Sequence, residues 1–220
     1  METRTEPAFE WVGGDPALDF NNTVSWYPEG LANERLTSYD ALVEWARGAG
    51  LVSDPEPLLA RARRHPAAAA AALAAALELR RVLHDVLSAA AHGRKPDPAR
   101  LRAFNESLAE GLARLELGVG RSGFRWDWKG ASADLGSPLW PVARAAALLL
   151  TSDERPLLKD CANANCGWLF VDRSRRGNRR WCAMSGCGNR AKARRFYQRS
   201  RARAGRPAAT RSRGRRRPPA

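Results

Sequence analysis

The chain has 220 residues and a formal net charge of +14, from 37 Lys/Arg against 23 Asp/Glu, a length that suits one ordinary domain plus a smaller module. Its apolar runs PAAAAAALAAAL and ARAAALLL are too short to span a bilayer, and METRTEPAFE lacks the charged-then-apolar order of a signal peptide. These features exclude a membrane protein and predict a cytoplasmic chain. The charge is also divided: residues 161–220 carry 18 Lys/Arg and one acid, Asp172, for +17, while residues 1–160 stand at −3. A near-neutral body with a strongly basic end is the asymmetry expected when one part meets a polyanion.

In chain order, AFEWVGGDPALDFNNTVSW mixes aromatic and β-branched residues with turn formers and predicts two short strands around Gly13-Gly14-Asp15-Pro16. TSYDALVEWARGAGLV predicts a helix capped by Thr37 or Ser38, with Leu42, Trp45 and Ala46 on one face. Residues 56–64 predict a short helix and Pro66 to Ala91 a long one. In the long helix Leu73, Leu77, Arg80 and His84 recur at spacings of three and four, and Leu79, Leu83, Val86 and Leu87 form a second apolar stripe. GRKPDP breaks that helix, and Pro98 suits the first turn of another, running to Leu117. FRWDWKG alternates as an exposed strand does, with Trp126 and Trp128 on one side to stack on a ligand, cover the helical core or form a dimer surface. SPLWPVARAAALLLTS predicts a further helix capped by Ser137. The fold class is therefore mainly α with a few short β-strands: a helical N-terminal domain (1–155), a small four-cysteine module built as a hairpin followed by a helix (156–200), and a disordered Arg/Pro-rich tail (201–220).

All four cysteines lie in the basic end, as Cys161-x4-Cys166 and Cys182-x4-Cys187. In a cytoplasmic chain such a cluster points to a metal rather than to disulfides. Four thiolates can surround one zinc ion, and no histidine follows His92 to replace one. Four thiolates leave no open position for water, so the expected zinc is structural and not catalytic. Between the pairs, WLFVDRSRRGNRRW predicts a hairpin turning at SRRGN. After Cys187, Asn189 is placed as the N-cap of a helix RAKARRFYQRSR, with Phe196 and Tyr197 packing back on the hairpin.

The candidate nucleic-acid contacts are Arg179, Arg180, Asn189, Arg190, Lys192, Arg194, Arg195 and Arg199. On the helix, Arg190, Arg194 and Arg201 form one stripe and Lys192, Arg195 and Arg199 a neighbouring one. A structural alternative has Arg179, Arg180 and Arg190 neutralising the −2 formal charge of a four-thiolate zinc.

The segment CANANCGWLFVDRSRRGNRRWCAMSGCGNRAKARRFYQR resembles the CGNR-type zinc finger, its motif standing here as Cys187-Gly188-Asn189-Arg190. GGDPALDFNNTV is similar to the opening of the ABATE domain, through Leu18-Asp19-Phe20 and Asn22-Thr23, although Asn21 stands where an apolar residue is commoner. The ABATE domain usually precedes that finger in bacterial proteins described as stress-induced transcription regulators. The resemblance implies zinc held by Cys161, Cys166, Cys182 and Cys187 and a DNA-binding role.

Asp19, Asn22 and Thr23 are candidate ligands of a small-molecule effector, or else they satisfy backbone groups at a strand end and turn. No nucleophile–base pair, phosphate loop or paired-carboxylate motif stands out, so an enzyme is not expected. The sequence points to a DNA-binding transcription regulator whose N-terminal domain senses a signal or forms a homodimer. The rival is a zinc-stabilised module that binds RNA or an acidic protein partner.

Overall fold

The computed structural model describes residues 9–27, 30–120 and 123–204. The sequence-predicted disordered tail lies outside the described residues from 205 onward, whereas its first four positions continue the last helix.

The body is built around α4 (Pro66–Ala91), which starts at Pro66 and stops just before the GRKPDP breaker. It buries Ala69, Ala72, Ala76, Leu79, Val82, Leu83, Val86 and Leu87. Around it pack α1 (Pro16–Asn21), α2 (Tyr39–Gly48), α3 (Glu56–Arg64), α5 (Pro98–Leu112) and α6 (Leu139–Thr151), and these helices share one apolar core centred on Phe20, Trp45 and Leu83. Ser38 caps α2, its hydroxyl accepting from Ala41 N at 3.1 Å.

Several local expectations are corrected. The strands expected around Gly13–Pro16 are replaced by α1, because extended Asp15 caps it, accepting from Ala17 N at 2.8 Å, and Pro16 supplies a preset φ at its first position. The strands come later, as the antiparallel pair β1 (Ser25–Tyr27) and β2 (Gly30–Ala32). Helix α5 ends at Leu112 rather than at Leu117, and the residues after it form β3 (Leu115–Gly120), paired antiparallel with β4 (Gly123–Trp128). Ser137 does not cap α6; its hydroxyl donates to Ala131 O at 2.7 Å.

The third pair, β5 (Leu158–Asp160) with β6 (Leu169–Val171), opens the cysteine module. The expected hairpin about SRRGN is not the one formed. Ser174–Gly177 does turn, but β6 pairs backward with β5 and carries the first cysteine pair in its loop. Last comes α7 (Asn189–Ala204). Among the described residues no helix is long and apolar enough to cross a membrane.

Candidate metal centre and its basic helix

Cys161 follows β5 directly and its N–H donates to Trp168 O at 2.9 Å, which closes the loop holding Cys166. Cys182 follows the Ser174–Gly177 turn, and Cys187 lies in a single π-helical turn (Met184–Gly188) that runs into α7. The turn beneath is knotted by Asp172, which accepts from Lys159 Nζ (2.6 Å), Ser174 N (3.0 Å), Ser174 Oγ (2.5 Å) and Arg179 N (2.9 Å). The Lys159 ammonium, first among these partners, holds the Asp172 carboxyl well below the usual carboxylate range. The only acid in the basic end thus has a structural task, and its isolation in the sequence is the signal that singles it out.

The four sulfurs are buried and lie within 4.8 Å of one another, with 3.7 Å between those of Cys166 and Cys182. A tetrahedron with Zn–S of about 2.3 Å has sulfur–sulfur edges of about 3.8 Å, so the donor set fits one zinc ion and leaves no position for a catalytic water. Without a cation the cluster resists full ionisation. The Cys166 and Cys182 thiols donate to Cys161 and hold it low, while those same bonds push Cys166 and Cys182 above the usual thiol range. A dication held by Cys161, Cys166, Cys182 and Cys187 would remove that conflict and pin the β5–β6 loop to the start of α7. Two donors already point at sulfur: Asn163 Nδ2 at 3.4 Å and Arg190 Nη2 at 3.1 Å, both to Cys187.

Gly188 of the CGNR run sits close under Met184 and Trp181. A Cβ there would lie 2.6 Å from Met184 Sδ and 3.3 Å from Trp181 Cδ1. Asn189 is not an extended N-cap. It has helical φ/ψ (−66°, −41°), and its side chain donates to Ser185 O at 3.2 Å, because the preceding π turn already supplies the helix start. The extended residue that precedes this helical run is Ala183.

The basic candidates divide into two sets. Arg179 is spent internally. Its guanidinium lies 4.2 Å from the Phe170 ring centroid and donates to the carbonyls of Val12 (2.9 Å), Trp181 (3.1 Å) and Cys182. Arg190 reaches Cys187, and Arg194 donates to Asn163 Oδ1 at 3.0 Å, so this stripe of α7 faces the metal centre together with buried Ala191. The neighbouring stripe faces outward: Lys192, Arg195 and Arg199 are exposed and, with Phe196, line a shallow groove of about 240 Å³. Arg180 is exposed beside the Trp181 ring. Phe196 and Tyr197 do not pack on the hairpin. Both are about two-thirds exposed, since Trp168, Phe170 and Trp181 already fill the small core beneath.

Residues 158–200 match the CGNR zinc finger, and residues 14–153 match ABATE, described as "Putative stress-induced transcription regulator". The chain belongs to the ABATE family. No curated protein matches it.

The ABATE domain and the finger meet along a seam made from the opening motif. Asn22 is buried and its amide pairs twice with the β6 backbone: Nδ2 donates to Leu169 O (2.9 Å) and Oδ1 accepts from Leu169 N (3.0 Å). Thr23 Oγ1 donates to Phe20 O (2.7 Å) and accepts from Arg80 Nη1 (2.7 Å). Arg80 is 1% exposed and forks onto the carboxylate of Glu34. Asp19 accepts from Gly13 N at 2.8 Å, and burial raises its pKa to about 6.

Trp26 N donates to Cys166 O (2.9 Å), and Trp168 Nε1 reaches back to Val24 O (2.7 Å). His84 stacks on Trp26, with centroids 3.7 Å apart and planes 7° apart. Gly167 faces Trp26 at φ +65°, where a Cβ would come within 2.5 Å of the Trp26 Cβ. Leu158, Leu169 and Val171 complete the ABATE core. Sequence reasoning assigned no such role to Trp26, Arg80 or Asn163, whose partners are about 140, 57 and 24–31 residues away.

Proposed function

We propose that the protein is a cytoplasmic transcription regulator in which the zinc finger and α7 hold double-stranded DNA, while the ABATE domain senses a signal or joins two copies. The observation that carries this reading is the outward stripe Lys192, Arg195 and Arg199, on a helix that contains no acidic residue. A helix so charged gains little from packing on its own body, and guanidiniums so presented suit phosphates and guanine edges. Arg180 and Asn189 extend the contact surface in this reading. Arg179, Arg190 and Arg194 act as positioning residues that fix α7 against the metal centre. Asn22 fastens the finger to the ABATE domain, while Asp19 and Thr23 brace the same segment from within that domain, so a signal received there would reach α7 through the seam. No catalytic step belongs to this reading; the matched families are a regulatory and a zinc-finger family, not enzyme families.

The test is selection of bound duplexes from a random pool by a chain ending at Ala204, at moderate salt with competitor DNA. One enriched sequence is expected. Binding that is sequence-blind and lost steeply with salt would leave only phosphate attraction and sink the regulator reading. A second reading, RNA binding, is favoured by the exposed pair Phe196 and Tyr197, whose rings lie edge-on 6.0 Å apart on the basic helix. Aromatic rings among guanidiniums offer stacking faces to unpaired bases. A parallel selection from single-stranded RNA separates the two readings.

A further inference from the structure

We infer that the outer face of the β3–β4 ribbon is where a second copy of this chain docks. In the register of this pair Leu115 opposes Trp128, Leu117 opposes Trp126 and Val119 opposes Phe124, so all six side chains share one face. The other face carries Glu116, the Arg125–Asp127 ion pair (2.9 Å) and three glycines. The apolar face is anchored only at its root. Trp128 lies 6.2 Å from Trp140, and Trp126 covers the Arg144 guanidinium at 5.7 Å, one turn further along α6. Leu148, one more turn along α6, is exposed like Phe124. Leu117, Val119, Phe124, Trp126 and Leu148 are 52–77% exposed.

A two-stranded ribbon with an uncovered apolar face is marginal alone in water, and a contiguous apolar patch this size on a monomer marks a contact surface. Three arguments select a second copy as the occupant. Those five side chains leave about 600 Å² uncovered, and two copies face to face would bury about 1,200 Å², the lower bound of a specific interface. The strand side chains on the face are all uncharged, so self-pairing about a two-fold axis meets apolar with apolar and strands no ion. The chain is +14 overall with the excess beyond residue 160, so copies meeting through the near-neutral body avoid the repulsion that any contact through α7 would bring.

This inference deepens the proposed function, in which joining two copies is one role of the ABATE domain. Its test omits nucleic acid, so each reading can fail without the other. Sedimentation velocity of the zinc-loaded full chain from 1 to 100 µM is expected to show a monomer–dimer equilibrium. The double variant V119E/F124E is expected to weaken it at least 100-fold while keeping one zinc per chain and an unchanged circular dichroism spectrum. Glu116→Lys, on the opposite face, is expected to leave the dimer intact. In the wild-type chain, amide exchange at residues 115–120 and 123–128 is expected to slow as concentration rises, a readout that needs no variant. A wild-type chain still monomeric at 100 µM would overturn the inference, as would a dimer that survives V119E/F124E. Monomers that bind phosphatidylcholine vesicles through these residues would likewise overturn it and assign the face to a lipid surface.

Discussion

The ABATE body and the finger are stabilised in different ways. The body's core draws buried side chains from six helices, with Phe20, Leu42, Trp45, Leu83 and Leu87 fully covered. The finger's own core is four cysteines with Trp168 and Phe170, closed from outside by Val12, Trp26 and Trp181. Apolar burial at roughly 25 cal/mol per Å² can hold the first together, whereas a unit as small as the second needs metal as well. The division is incomplete, because β5 and β6 contribute Leu158, Leu169 and Val171 to the body while leading into the cysteine loop. A family boundary in sequence need not coincide with a boundary between cooperative units.

The harshest break in this comparison is Cys182→Ser. Zinc content should fall from one per chain to none, forfeiting a binding energy of roughly 10 kcal/mol. Proteolysis should then cut within residues 172–204 while α1–α6 keep their helicity. A chain that retains one zinc would disprove the ligand set.

Next come two changes at the seam. Gly167→Ala forces a Cβ against Trp26 in a left-handed backbone conformation, and Asn22→Leu leaves the Leu169 N–H and C=O without their partners. Each should cost about 3 kcal/mol in urea unfolding. A surface substitution such as Glu106→Gln provides the neutral reference.

Acid gives a smaller effect with a defined sign. Burial lowers the His84 pKa to about 4, so the unfolded chain binds the proton more readily. Its contribution is complete above about pH 6.5 and declines as pH falls towards 4, by roughly 3 kcal/mol in all. Asp19, raised to about 6, works oppositely below that pH and offsets part of the loss. His84→Phe should flatten the slope of stability between pH 6.5 and 5; an unchanged slope would refute the role given to His84.

The smallest effect separates the two stripes of α7. Arg195→Ala should reduce the salt dependence of DNA binding by about one ion. Arg194→Ala should change it less, because that guanidinium already rests on Asn163.

Much of this was legible in the residues. The cysteine spacing gave the metal centre because thiolate geometry admits few other uses, and prolines with an Ala/Leu pattern gave α3 and α4 at their observed bounds. Part of what failed was decided by partners distant in the chain. Leu169–Val171 looked able to pair forward across SRRGN, yet Leu158–Asp160 and the Asn22 amide claim its backbone. Phe196 and Tyr197 looked like core residues, but the space was already filled. Asp15 and Pro16 were read as a turn between strands, although the same pair serves equally as a cap and first turn.

The double hydrogen bond between Asn22 and Leu169 has a thermodynamic consequence. Metal affinity and body stability become reciprocal quantities, since whatever strains one must be repaid by the other. Zinc should raise the unfolding temperature of helices that never touch it, and a finger severed from residues 9–153 should hold its ion less tightly. In such a chain, the available zinc concentration would set how much folded protein is present.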